Sequence, residues 1–316
     1  LLLAAGVPAG IVAIAGFRYG QPLWFLGVFL LCQALLPWML ARHERMPVRT
    51  IALLVLAAVG VDVVRAATGI PALGFLNLAF VWLALQQLGF FLADGRIDRL
   101  TTRTRAVIAG GAALTLAGGI LTGAFSPDLI ANLNPPTTAL LLVGLAHTAL
   151  FSLLRTPIAR VATTRPGRAL TRFVTPRTMT VYLWHMPVLL LLAGLTALAA
   201  LATGIAPPVP DSIAWWMTRP LWLAVALVTT AAVAVPLARV EAHRPAPSGP
   251  VGGGRVATAV VTGIAAVVLL LTTGTSPLTA AVAVVLIAVA LRLARSPQAR
   301  AAGIVDGIQE PVPSKP

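Results

Sequence analysis

The sequence predicts an all-α fold: a polytopic transmembrane helical bundle of about nine full spans, preceded by a partial one. Three observations predict it. Hydrophobic residues make up 58% of the 316 residues and charged residues only 10%, whereas a soluble domain carries roughly a quarter charged residues. Mean hydropathy is +0.92. The apolar residues fall into runs of membrane-crossing length, and cations crowd into every second segment between them.

Residues 1–16 are apolar but fall short of the ~20 needed to cross a bilayer, so they read as the cut end of a helix. The chain begins Leu1-Leu2-Leu3, without methionine or a signal-peptide pattern, and is expected to be the remainder of a longer protein. Full-length spans follow at 21–41, 50–69, 71–93, 106–124, 136–154, 178–203, 218–240, 256–273 and 277–293. The last two are at the short limit.

Charge orients these spans. With the chain entering the first full span from outside, the inner segments hold nineteen arginines and Lys315, and the outer ones only Arg18, Arg65 and Arg219. Twenty against three places the C-terminus in the cytoplasm of a multi-pass plasma-membrane protein. The formal charge of +14 is thereby explained without nucleic acid. A single cysteine, Cys32, excludes an internal disulfide framework and thiolate metal sites, and no metal site is expected.

The outer segments 126–136 and 206–211 are rich in turn formers. Trp215, Trp216 and Trp222 lie near the outer end of the following span, where indoles favour the headgroup layer. Four segments are expected: a transmembrane domain over 1–240, a Pro/Gly linker over 241–255, a C-terminal transmembrane hairpin over 256–295 and a disordered tail over 296–316. No internal repeat is visible, which weakens a transporter built of inverted halves.

Polar groups inside the spans are the candidates for function. Thr178, Tyr182 and His185 share one face of a helix, since i, i+4 and i+7 stack, and Trp184 stands beside them. Pro187 removes a backbone donor just beyond His185, so a kink or an exposed polar group is expected there. Such a stripe is costly in lipid unless it faces protein or water. It suits either a cavity or a histidine packed against a neighbouring helix. Asn77, Gln86 and Gln87 share the third span, and His147 lies mid-membrane in the fifth; helix-joining hydrogen bonds account for these as well as ligand contact does. Asp62 and Arg65, three residues apart, are expected to pair with each other. No carboxylate accompanies His147 or His185 in its own span, which disfavours a proton pump. Phosphate-cradling glycine loops, HExxH and GxSxG are absent.

The run Val181-Tyr182-Leu183-Trp184-His185-Met186-Pro187 resembles the signature near the end of the acyltransferase-3 family of polytopic membrane enzymes. Pro22-Leu23-Trp24-Phe25-Leu26 resembles a helix start of that family. The segment from Asn77 through Trp82, Gln86 and Gln87 to Asp94-Gly95-Arg96 resembles its actinobacterial branch, as does Asn134-Pro135-Pro136-Thr137. The resemblance runs from 22 to about 240 and leaves the C-terminal hairpin outside.

It implies transfer of an acyl group, usually from cytosolic acyl-CoA as co-substrate, to a hydroxyl of a surface glycan, lipid or metabolite, with no bound cofactor. Tyr182, His185, Trp184, Thr178, Gln86, Gln87, Asn77 and His147 are then the cavity candidates. Arg96 and Arg177 are the candidates for the acyl-CoA phosphates. The family's catalytic histidine stands on its first transmembrane helix, about ten residues after an arginine, and no segment here matches it. That histidine is expected upstream of Leu1. The activity of the fragment alone is then open, and His185 is expected to shape the acceptor pocket or acyl tunnel rather than serve as the base. A transporter or flippase, and a degenerate structural partner, remain the alternatives from other classes.

Overall fold

The computed structural model describes residues 23–242, 252–274 and 276–294, and among these every regular element is helical. The expected partial span, the tail and most of the linker lie outside the described residues. In order, the helices are α1 (Leu23–Arg45), α2 (Pro47–Thr68), α3 (Asn77–Ala93), α4 (Thr102–Leu121), α5 (Ala139–Ala162), α6 (Arg165–Val174), α7 (Thr178–Thr203), α8 (Ile213–Ala242), α9 (Gly253–Thr273) and α10 (Pro277–Ala294). A 3-10 turn, Pro71–Leu76, leads into α3, and another, Thr175–Arg177, joins α6 to α7. Nine of the described segments are long and apolar enough to cross a membrane.

The helix ends follow from local chemistry. Pro47 opens α2, where its missing N–H costs nothing, and Gly69 closes it at φ +66, a conformation that disfavours any side chain. The Thr101 hydroxyl accepts the Thr104 N–H at 3.1 Å and caps α4. Several helices outrun the apolar stretches that mark them. α1 continues to Arg45 and α5 to Ala162, because backbone hydrogen bonding continues where the hydrocarbon ends. The stretch 165–174, read as loop from its charge, is a helix that puts Arg165, Arg168 and Arg172 on one side by their spacing. At ten residues it is too short to span, which is why apolar length alone missed it.

The chain divides into two compact units, residues 28–167 and residues 1–27 with 168–316. In the first unit α2 packs on α3, α3 on α5, and α4 on α5. Its apolar centre is Ala58, Val81 and Leu140, ringed by Phe80, Trp82, Leu85, Leu133 and Leu141. Gly144 sets the α3–α5 approach, since a Cβ there would meet the Leu85 side chain at 2.2 Å. In the second unit α7 packs on α8 and α9 on α10, and Val267 of α9 lies against Gly27 at the start of α1. Polar side chains such as His43, Asn77, Gln87, Ser152 and Thr180 are buried, while leucines and valines in quantity face outward. That inversion is what a lipid solvent demands.

Candidate functional site

The histidine stretch sits on α7, which runs unbroken through Pro187. His185 is half-buried, and its ring lies 5.6 Å from that of Tyr182, which in turn meets Phe25 at 4.8 Å. The His185 Nδ1 hydrogen-bonds the Tyr182 carbonyl of its own helix. A carbonyl only accepts, so Nδ1 carries the proton, and in the neutral ring Nε2 is left as a lone-pair acceptor. Thr178 is exposed and turns its hydroxyl back onto the Thr175 carbonyl at 3.1 Å, and Trp184 is exposed as well. Arg177 donates to the Phe173 carbonyl at 2.8 Å and lies over the Phe173 ring at 4.7 Å. It makes no ion pair among the described residues.

In the other unit a polar cluster gathers around His43, which lies just beyond the apolar run of the first full span. His43 is 4% exposed near the end of α1. Its Nδ1 lies 2.9 Å from Gln87 Oε1 and its Nε2 lies 3.1 Å from Asp94 Oδ2. The Gln87 amide is fixed by its other end, since Nε2 donates to the Met39 carbonyl at 2.9 Å. Both atoms facing the imidazole are acceptors, and which ring nitrogen donates follows from the tautomer. Phe90 and Phe91 close edge-on around the ring, with centroids at 5.4 and 4.9 Å.

Asp94 is held from a second side by Arg96, whose Nε stands 2.9 Å from Oδ2 and whose backbone N–H reaches Oδ1 at 3.0 Å. Burial pushes the Asp94 carboxyl up, but the Arg96 N–H, the His43 ring and the Arg96 charge together outweigh it and hold it below the ordinary carboxylate range. Gln87 and Asp94 are seven residues apart and so share a face. That spacing, with His43 among the arginines ending α1, is the signal that could have exposed the cluster. Counting the first span as ending at residue 41 left His43 outside the membrane.

The remaining candidates of this unit are distributed. Gln86 donates to the Cys32 carbonyl at 3.1 Å and ties α3 to α1. Asn77, fully buried at the other end of α3, donates to Asp62 Oδ1 at 3.0 Å. It stands about 15 Å from Gln87 by helical rise. Asp62 does not mainly pair with Arg65, as its spacing suggested; the guanidinium stays 3.9 Å away. Its other oxygen accepts the Thr138 N–H at 2.7 Å and the Thr138 hydroxyl at 2.8 Å, so it caps α5 from a distant helix. Thr138 lies 76 positions away and could not be foreseen from local spacing. His147 is exposed and bonded to the Val143 carbonyl of its own helix at 2.9 Å.

A further cluster joins Asp98 to Ser152 and Arg155, with Arg105 donating to the Ser152 carbonyl and hydroxyl at 3.0 and 2.9 Å. The Ser152 hydroxyl, then the hydrogen bond and charge of Arg155 and the charge of Arg105, outweigh the burial that raises the Asp98 carboxyl and hold it below its ordinary range.

With these positions fixed, the chain can be compared with known proteins. The family model described as an acyltransferase domain, Acyl_transf_3, matches residues 6–239, well over half of the chain. The chain belongs to the acyltransferase-3 family. No curated protein and no solved structure matches it. The acyltransferase domain takes in α1 through most of α8 and stops before the α9–α10 hairpin. Both polar clusters lie inside it, as does the His185 stretch that carried the resemblance. A multi-pass membrane protein with acyl-transfer activity in the general sense follows from the family and from the nine apolar helices.

Within the acyltransferase domain the chemistry available differs between the histidines. His43, with both ring nitrogens facing partners on or just beyond α3, is a structural tie between α1 and the end of α3. His185 keeps Nε2 for an outside donor such as a hydroxyl. His147 has the same ring orientation on an exposed flank.

Proposed function

We propose that this protein transfers an acyl group from acyl-CoA to a hydroxyl of a surface glycan, lipid or metabolite, from a plasma membrane in which its C-terminus is cytoplasmic. The observation that carries the reading is the acyltransferase-domain match over residues 6–239. In this scheme His185 positions the acceptor hydroxyl through Nε2, its tautomer set by the Tyr182 carbonyl. Arg177 meets a phosphate of the donor. Arg96 is the weaker of the two arginine candidates, because Asp94 already neutralises it at 2.9 Å.

The test is release of the coenzyme A thiol by the protein, expressed from its whole reading frame and placed in proteoliposomes with a cell-envelope extract as acceptor. Thiol release above that of empty vesicles, with the acyl label recovered on a hydroxyl, is the expected result. Arg177→Gln should raise KM for acyl-CoA about tenfold, the worth of one charge-assisted hydrogen bond, with kcat little changed. Absence of acyl-CoA turnover by well-inserted protein, with a labelled solute crossing the vesicle instead, would overturn the reading in favour of transport. Orientation is checked by tags: those at 97–104 and 161–170 should label from the cytoplasmic side and one at 205–210 from outside.

A further inference from the structure

Within the unit formed by residues 28–167, a groove of about 500 Å³ lies on the flank of the α1–α2 hairpin and borders the His43 cluster only at Met39. Its apolar surface includes Trp38, Leu53, Ala57 and Phe80, and at the arginine-rich end it is bordered by Arg42 and Arg49. Trp38 and Leu53 are 52% and 56% exposed, so the groove opens sideways, off the outer face of the helix pair. Neither arginine makes an ion pair among the described residues. The Arg42 guanidinium lies 5.3 Å from the centre of the Trp38 ring, and Arg49 reaches only the Met46 sulfur, at 3.9 Å. The hydroxyl of Thr50, which also lines the groove, is occupied by the Met46 carbonyl at 2.8 Å. Two free guanidinium groups above an apolar trough are thus what the groove offers a ligand.

We infer that this groove is a binding site for one anionic phospholipid from the leaflet on the arginine-rich side, its phosphate held between Arg42 and Arg49 and an acyl chain laid along Trp38, Leu53 and Phe80. The chemistry selects this occupant. Guanidinium groups grip phosphate in a fork, and two without carboxylate partners favour a headgroup of net negative charge. The trough beneath them is apolar and open toward where lipid tails lie. An acyl-CoA would share the phosphate and the chain. Its adenine and ribose need hydrogen-bonding side chains, acceptors among them, to read them, and the groove's lining offers only the donors of the two arginines and the Trp38 indole beside the self-satisfied Thr50. The inference stands on the groove and is independent of the acyl-transfer reading.

The experiment places the whole protein in phosphatidylcholine nanodiscs carrying a photoactivatable phosphatidylglycerol and maps the adducts by mass spectrometry. Adducts should concentrate on peptides containing Leu53, Ala57 and Phe80. Cations facing an anionic lipid contribute roughly fivefold each in affinity, so Arg42→Gln with Arg49→Gln should reduce them by about twenty-five-fold. The same charge removed at two exposed arginines away from the groove, Arg99→Gln with Arg103→Gln, should leave them unchanged. Ala57→Phe fills the trough without touching either arginine and should also abolish them, which keeps the test decisive if the arginine pair proves unstable. Equal losses in the two double variants would mean bulk attraction of the lipid and overturn the site. Displacement of the adducts by palmitoyl-CoA but not by unlabelled phosphatidylglycerol would overturn the occupant.

Discussion

His43→Ala gives the sharpest test of the cluster at the end of α1. Truncation strands the Gln87 carbonyl oxygen, fully buried and with its amide already committed to Met39. A buried acceptor left unsatisfied costs about 1–3 kcal/mol. The edge-on contacts to Phe90 and Phe91 add about 0.5–1.5 kcal/mol each at most. The bond to Asp94 adds less, because that carboxylate is 33% exposed and water screens it. Together these predict a loss of about 2–4 kcal/mol. They also predict an order: in double-mutant cycles His43 should couple more strongly to Gln87 than to Asp94, despite the charge on the latter. Reversible unfolding in mixed detergent and SDS micelles measures both. A loss under about 1 kcal/mol, or a stronger coupling to Asp94 than to Gln87, would refute the argument that burial rather than charge sets the strength here.

Other predictions follow from neighbouring contacts. Asp62→Ala removes the acceptor for Thr138 N–H, the Thr138 hydroxyl and Asn77, and should cost about 2–3 kcal/mol in the same unfolding assay, whereas Arg65→Ala should cost well under 1 kcal/mol. Similar losses in both would restore the Asp62–Arg65 pair as the dominant contact. Asp94 and Asp98 are both held below the ordinary carboxylate value of 3.8. A depressed folded-state value contributes stability fully above that figure and loses it as pH falls below it, so Asp94→Asn with Asp98→Asn should flatten the acid limb of the stability curve; an unchanged limb counts against this. His185→Gln should keep partial acyl transfer while His185→Ala loses most of it at unchanged stability, because an amide preserves a hydrogen bond but takes no proton near neutral pH. Complete loss in both variants would assign His185 the proton itself.

The all-α class, the positions of nine spans and the family were legible in the sequence, and the reason is the solvent. Lipid forces each crossing segment to satisfy its own backbone and to be apolar over about 20 residues, so a span announces itself locally. Ends with local causes were legible too, as with Pro47 opening α2. What only the tertiary structure decided is which polar side chains meet. Gln87 reads equally well as a cavity residue or a helix tie, and His43 lies beyond the apolar run of its span. The fold joined them across 44 positions and set Arg96 against Asp94 at 2.9 Å. Asp62 had an evident partner three residues away, yet a backbone amide 76 positions on took its carboxylate. Hydropathy reports the solvent each segment meets. A buried hydrogen bond depends on how two helices are rotated and how deeply each sits, which is set by close approaches such as that of Gly144 to Leu85.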